Sequence, residues 1–271
     1  MIKKFYSNFV LKNPIKIIIL VIFGVFILGY FATKLEIDAS SSTLLLDNDK
    51  DLKFARQVNQ DYSGSDFLVL TYTPKNKLLS NDTLSEIRKL TKELESLEQI
   101  VSTTSILNVP LLQSPIIPIK ELVKDIKTID SSKFDKTLVK NEFLTSPLYR
   151  ENLVSSDFKK TTILLNLIND NTLNKLLNLN QKIKLSDTDE LKLISKKIKI
   201  HRDLQREINH NTIMDVREIV LKHQRNAQIF LGGINMIADD VVTYVKSDLS
   251  TYGSILLLLF IIILIHLYLI I

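Results

Sequence analysis

The sequence predicts an α+β membrane protein in which two transmembrane helices flank one large extracytoplasmic domain. Three observations carry that reading. An uncharged apolar run lies near each end, the residues between are charged at the density of a folded soluble region, and short β-forming runs alternate there with helical periodicity. The 271 residues are 45% hydrophobic and 24% charged, with six Gly and six Pro, a composition that is neither collagenous nor of low complexity. The chain has no Cys, which excludes a disulfide scaffold and a thiolate zinc site.

Residues 1–14 form a basic arm, and residues 15–33 the first predicted crossing. "IIILVIFGVFILGYFA", Ile17 to Ala32, is uncharged, and with Ile15 and a snorkelling Lys16 it nearly spans a hydrocarbon core of roughly 30 Å. Pro14 suits a first helical turn, where its missing donor would be unpaired anyway. A cleaved signal peptide shares the basic start, but the apolar run is long and Tyr30, two places before Ala32, spoils the small-x-small cleavage pattern.

Residues 252–271 form the second predicted crossing, in which His266 is the one side chain that titrates near neutral pH; its place near the end suits an interfacial neutral imidazole better than a proton relay. Lys3, Lys4, Lys12 and Lys16 favour a cytoplasmic N-terminus in a bacterial inner membrane, which places residues 34–251 in the periplasm and returns the second helix to the cytoplasm. A cytoplasmic exit calls for Lys or Arg after residue 271, so the chain is expected to be cut where that flank begins. The first 32 residues account for almost all of the net charge of +5. They hold four of the 35 basic residues and no acid, and the last twenty residues hold no charge, so 31 basic residues face 30 acidic ones between. A neutral middle removes the main argument for a nucleic-acid partner.

Two βαβ units are predicted in the periplasmic domain, over about 66–109 and 161–233. "DFLVLTYT", Asp66 to Thr73, reads as a buried strand and "PKNKLLSND" as a turn. From Asp82, Leu84, Ile87, Leu90, Leu94 and Leu97 recur at helical spacing with Glu86, Lys89, Lys92 and Glu93 on the other face. Gln99 to Val109 reads as the next strand, and Pro110, Pro115 and Pro118 break the chain beyond it. A helix-prone middle, Lys120 to Leu144, leads to a turn at Ser146 and Pro147. The second unit comprises the strand Thr161 to Ile168, a helical stretch from Asp187 to Asn226 interrupted at "NHNT", Asn209 to Thr212, and the strand Gln228 to Gly233. Antiparallel pairing between the units suggests ferredoxin-like α+β layers, each helix covering one sheet face. Ile234, Ile237, Val241, Val242, Val245, Leu249 and Tyr252 then trace an apolar stripe on a helix running toward the second crossing, through which movement of the domain could reach the membrane.

No motif nominates an active site, and the chain is not expected to be an enzyme or to hold a cofactor or metal. Asp239, Asp240 and Asp248 read as a solvated, domain-contacting face, since adjacent acids on a helix point about 100° apart. Gly232 and Gly233 read as a tight turn, because neither a Lys-Ser pair nor a third Gly completes a phosphate loop. His201, His210 and His223 match no local zinc spacing and read as surface or boundary residues.

Five stretches, in this order, resemble one family: "FVLKNPIK", "LEIDASSSTLLLDNDKDLKFARQV", "SILNVPLL", "SPLYRENLVSSDFKKTTILLNL" and "FLGGINMIADDVVTYVKSDLSTYG". The chain resembles the N-terminal quarter to third of a resistance-nodulation-division (RND) superfamily transporter of the MMPL-type exporter branch. The resemblance implies a periplasmic porter domain of ferredoxin-like subdomains after the first helix, and proton-driven export of lipids or other hydrophobic or amphiphilic molecules. It implies as partners membrane lipid and the remaining transmembrane and porter segments, from the same full-length chain or a split partner. The family's proton-relay acids lie on a helix beyond residue 271, so no residue here inherits that role, and the chain is not expected to be transport-competent alone, since two helices cannot form the repeat interface of a secondary transporter. Two other architectures compete: a two-pass scaffold resembling the polysaccharide co-polymerases, whose proline-rich segment by the second helix is missing here, the last proline being Pro147; and a truncated membrane sensor.

Overall fold

The computed structural model describes residues 14–32, 66–115, 126–131, 133–170, 172–173, 175–176, 179–180 and 188–270. The basic arm with Lys3, Lys4 and Lys12, the stretch from Leu35 to Val58, Pro118 and Asp187 lie outside the described residues. The chain divides into one compact unit, Leu45–Asp239, and a second made of Met1–Leu44 and Asp240–Ile271.

The larger unit is built on four strands, β1 (Phe67–Pro74), β2 (Ile100–Thr104), β3 (Thr161–Leu167) and β4 (Ala227–Gly232), in the antiparallel order β2-β3-β1-β4. Among the described residues, the helices α2 (Asn81–Glu95), α3 (Lys136–Thr145) and α4 (Thr188–His223) accompany them. The pairing interleaves the two predicted units: β3 lies between β1 and β2, and β1 lies between β3 and β4. Each βαβ unit is thus split by a strand of the other.

Alternation sets the register. Leu68, Leu70 and Tyr72 of β1 face the core opposite Leu165, Ile163 and Thr161 of β3, and Leu70 and Tyr72 also oppose Leu231 and Ile229 of β4. A slip of one residue would turn all of them outward. On the other sheet face Phe67 and Phe230 are more than half exposed. The helices α2 and α4 touch each other and share the core face, a correction to the expectation of one helix per face.

The Ser80 hydroxyl caps α2 by accepting a bond from Thr83 N at 3.3 Å, satisfying a donor the first turn leaves free. Leu84, Ile87, Leu90 and Leu94 bury its apolar face. Each contributes about 1.5–3 kcal/mol of transfer free energy. The Glu95 carboxylate then accepts bonds from Thr103 N at 2.9 Å and Thr103 Oγ1 at 2.7 Å, fixing the end of α2 to β2.

Three sequence expectations are corrected. The second strand ends at Thr104, not Val109, because the Asn108 side chain accepts from Ser105 N at 2.8 Å and donates to Thr103 O at 2.6 Å, closing a turn in place of the ladder. Ile106, Leu107, Val109 and Leu111 then enter the core from a loop. Of the helix-prone middle, the described residues before Asp135 are not helical; α3 starts at Lys136, where Asp135 accepts from Thr137 N and Leu138 N. The helix α4 runs through Asn209 to Thr212 without a break. Thr212 Oγ1 bonds back to Ile208 O at 2.8 Å, and Thr212, Ile213 and Val216 are buried, so packing outweighs poor local propensity.

In the second unit, α1 (Pro14–Ala32) is apolar throughout apart from Lys16, with Ile15, Phe23, Phe26 and Phe31 more than half exposed. α5 (Ile234–Ile270), whose first residues up to Asp239 belong to the larger unit, has 37 residues, about 55 Å at 1.5 Å per residue. Among the described residues it contains the one stretch, Ile234–Ile263, long and apolar enough to cross a membrane; the apolar stretch of α1, Ile15–Phe31, is shorter. No break separates the predicted stripe helix from the predicted second crossing.

Candidate functional site

The three histidines of the larger unit all lie on α4, and each meets a carboxylate from a different element. His201 Nε2 lies 2.8 and 3.0 Å from the oxygens of Asp170, beyond β3, and Asp170 also accepts from Thr172 N and Leu173 N at 3.1 Å. His210 Nδ1 lies 2.9 and 3.0 Å from the oxygens of Asp239, in the second turn of α5. His223 Nε2 lies 3.3 Å from Glu93, and its Nδ1 3.9 Å from Glu86, both on α2. Spacings of nine and thirteen residues gave no metal motif, yet they tether α4 at three heights. The boundary reading holds for all three, which are half-buried, His223 most deeply, with its side chain 10% exposed.

Glu86 has further partners besides His223. Lys89 Nζ donates to it at 2.8 Å and Asn226 Nδ2 at 3.0 Å, and the Lys89 bond, followed by the Asn226 bond, holds its carboxyl below the usual range. Burial pushes the nearby Tyr72 phenol up to about 12, with the Glu86 charge adding to the effect.

Of the three acids expected on a solvated face, Asp248 is exposed and Asp240 half-buried, but Asp239 is only 8% exposed. Its neighbour points elsewhere on the helix, and His210 satisfies it; this corrects the sequence reading. Gly233 makes the turn from β4 into α5 at φ +133°, where a side chain is strained. Of the predicted stripe, Val242 is buried at 7%, whereas Ile234, Ile237, Leu249 and Tyr252 are more than half exposed. The His266 side chain is exposed on α5.

Sequence reasoning passed over a cleft of about 860 Å³ at the end of β1. Lys75 and Lys77 come from the β1–α2 loop, Lys136 and Lys140 from α3, and Lys159 from the turn before β3, while Asp157 is the one carboxylate among the lining residues. These stretches are far apart in sequence, and no spacing rule joins them; only the repeated Lys beside Leu78, Leu79 and Phe158 offered a signal. Phe158 stands at φ 56°, held by its N–H to Ser155 O at 2.9 Å, while Lys159 N and Lys160 N donate to Ser155 Oγ at 3.2 and 3.0 Å. That turn sets the Phe158 ring beneath Lys140, whose Nζ lies 5.6 Å from the ring centroid.

Comparison with protein-family models, curated proteins and solved structures finds no match to this chain.

Proposed function

We propose that this chain is the N-terminal portion of a proton-driven RND-superfamily exporter of the MMPL type, exporting lipids or other hydrophobic or amphiphilic compounds. It supplies the first membrane helix, the first periplasmic porter domain and the second membrane helix, and acts by positioning and presenting substrate, not by catalysis. The observation that carries the reading is the interleaved β2-β3-β1-β4 sheet, with helices on one face, set between two apolar helices in chain order. That strand order is the split βαβ pattern of ferredoxin-like domains. The direct passage of β4 through Gly233 into α5 supports it, since it ties the domain's edge strand to the crossing helix. The exposed apolar residues of α1 and α5 fit association with lipid and with further exporter helices.

Two measurements test this. The chain has no Cys, so single cysteines report topology cleanly. In spheroplasts, an impermeant maleimide should label Ser195→Cys at once and Asn8→Cys only after permeabilisation; the reverse pattern would overturn the topology. Cells lacking the chain should retain in the inner membrane an amphiphile that parent cells export, and a protonophore should produce the same retention. Unchanged lipid distribution and unchanged sensitivity to hydrophobic toxicants in the deletion strain would overturn the exporter function.

A further inference from the structure

We infer that the lysine cleft at the end of β1 is a binding site for a phosphate-bearing ligand. The inference is independent of the exporter reading, since it rests on the cleft alone. Five lysines, Lys75, Lys77, Lys136, Lys140 and Lys159, line one concavity, and among the described residues lining it Asp157 is the one carboxylate. Like charges focused in a concave wall repel one another and draw in a counter-charge.

Among the described residues, carboxylates leave most of that charge uncompensated. Lys75 Nζ donates to Arg225 O at 2.6 Å and Lys136 Nζ to Asn81 Oδ1 at 3.0 Å, both neutral acceptors. Lys140 lies over the Phe158 ring. Lys159 approaches Asp157 at 3.8 Å, and Asp157 also accepts from Ser155 Oγ at 2.6 Å and from Lys159 N at 3.1 Å. One carboxylate shared in this way cannot neutralise five cations.

The helix end is not the anion site, because the Asp135 carboxylate already takes the first-turn donors of α3. The side-chain ammonium groups are therefore the recognising elements, as point charges suited to a phosphate oxygen cluster. Leu78, Leu79 and Phe158 give the cleft an apolar wall, and its volume falls within the roughly 300–1,000 Å³ of small-molecule sites. The shared chemistry is thus a terminal phosphate anion, either free as inorganic phosphate or carried as a monoester on an amphiphile whose apolar part meets that wall.

The test uses the full chain in a neutral detergent, with isothermal titration of inorganic phosphate and, separately, of dihexanoyl phosphatidic acid below its micellar concentration. Saturable binding of either supports the site. Phosphate alone, or both equally, identifies the free anion as the source; preference for the lipid identifies the headgroup. Lys136→Glu/Lys140→Glu should weaken binding by at least about tenfold, the factor for losing one charge-assisted hydrogen bond. Lys77→Glu, on a separate loop, should weaken it independently. Lys196→Glu/Lys197→Glu, on the exposed face of α4, makes the same net-charge change and should leave affinity unchanged. No saturable binding of either ligand, or equal losses from the α4 control and the cleft variants, would overturn the assignment.

Discussion

Replacing Gly233 with alanine probes the junction on which the domain's connection to α5 depends. The residue sits at φ +133°, outside the left-handed well that Asn or Asp visits. A side chain there costs on the order of 1–3 kcal/mol in backbone strain. The added Cβ would also lie 3.2 Å from Leu68 Cδ2, 3.2 Å from Phe67 O and 3.4 Å from Leu68 Cα. Leu68 is fully buried in a central strand, so its side chain cannot swing aside and β1 itself must shift. Together the two effects amount to about 2–4 kcal/mol. That is a large share of the roughly 5–15 kcal/mol stability of a typical domain. For a domain of this size the midpoint should fall by roughly 5–15 °C. Gly232 is the internal control: it has no positive φ, and its nearest neighbour would be Val69 O at 3.9 Å. Gly232→Ala should be neutral or stabilising by about 0.5 kcal/mol. Thermal unfolding of the full chain in detergent, followed by tyrosine fluorescence, measures both variants. Equal midpoints for the two, or a Gly233→Ala midpoint matching the parent, would refute the reasoning.

The other predictions concern the carboxylate contacts. His210→Ala leaves the buried Asp239 without its imidazole partner and should destabilise the fold by about 1–3 kcal/mol, while adding Asp239→Ala should recover part of the loss in the same unfolding assay. The Glu86 carboxyl is held below its ordinary range in the fold, so its stabilisation is present above the unfolded value and disappears as pH falls through the folded one. Midpoints recorded from pH 6 downward should therefore drop through the carboxylate range, and Glu86→Gln should flatten that limb; an unchanged slope in the variant would remove Glu86 as a cause.

The apolar helices and the four strands were legible because they rest on local pattern. Period-2 alternation in "FLVLTYTP" and "TTILLNL", and helical spacing from Leu84 to Leu94, survive into the fold within a residue or two. Strand β2 is shorter than its apolar run suggests because Asn108 offers the backbone a turn that no apolar count registers. The break expected at Asn209 to Thr212 failed for the opposite reason, since burial of Thr212 and Ile213 supplies more than weak propensity removes. The lysine cleft was invisible for a different cause: its walls come from three stretches that only the sheet and α3 bring together.

By itself the sequence determined the element types, the apolar character of both helices and the tight turn at the paired glycines, because hydrophobic period, run length and glycine's φ freedom are local properties. Only the tertiary structure decided that the βαβ units interleave, that Asp239 is buried under His210 while Asp240 and Asp248 are not, and that five lysines share one cleft. Strand order and side-chain meetings across the chain follow from how faces pack together, which residue spacing along a single chain does not encode.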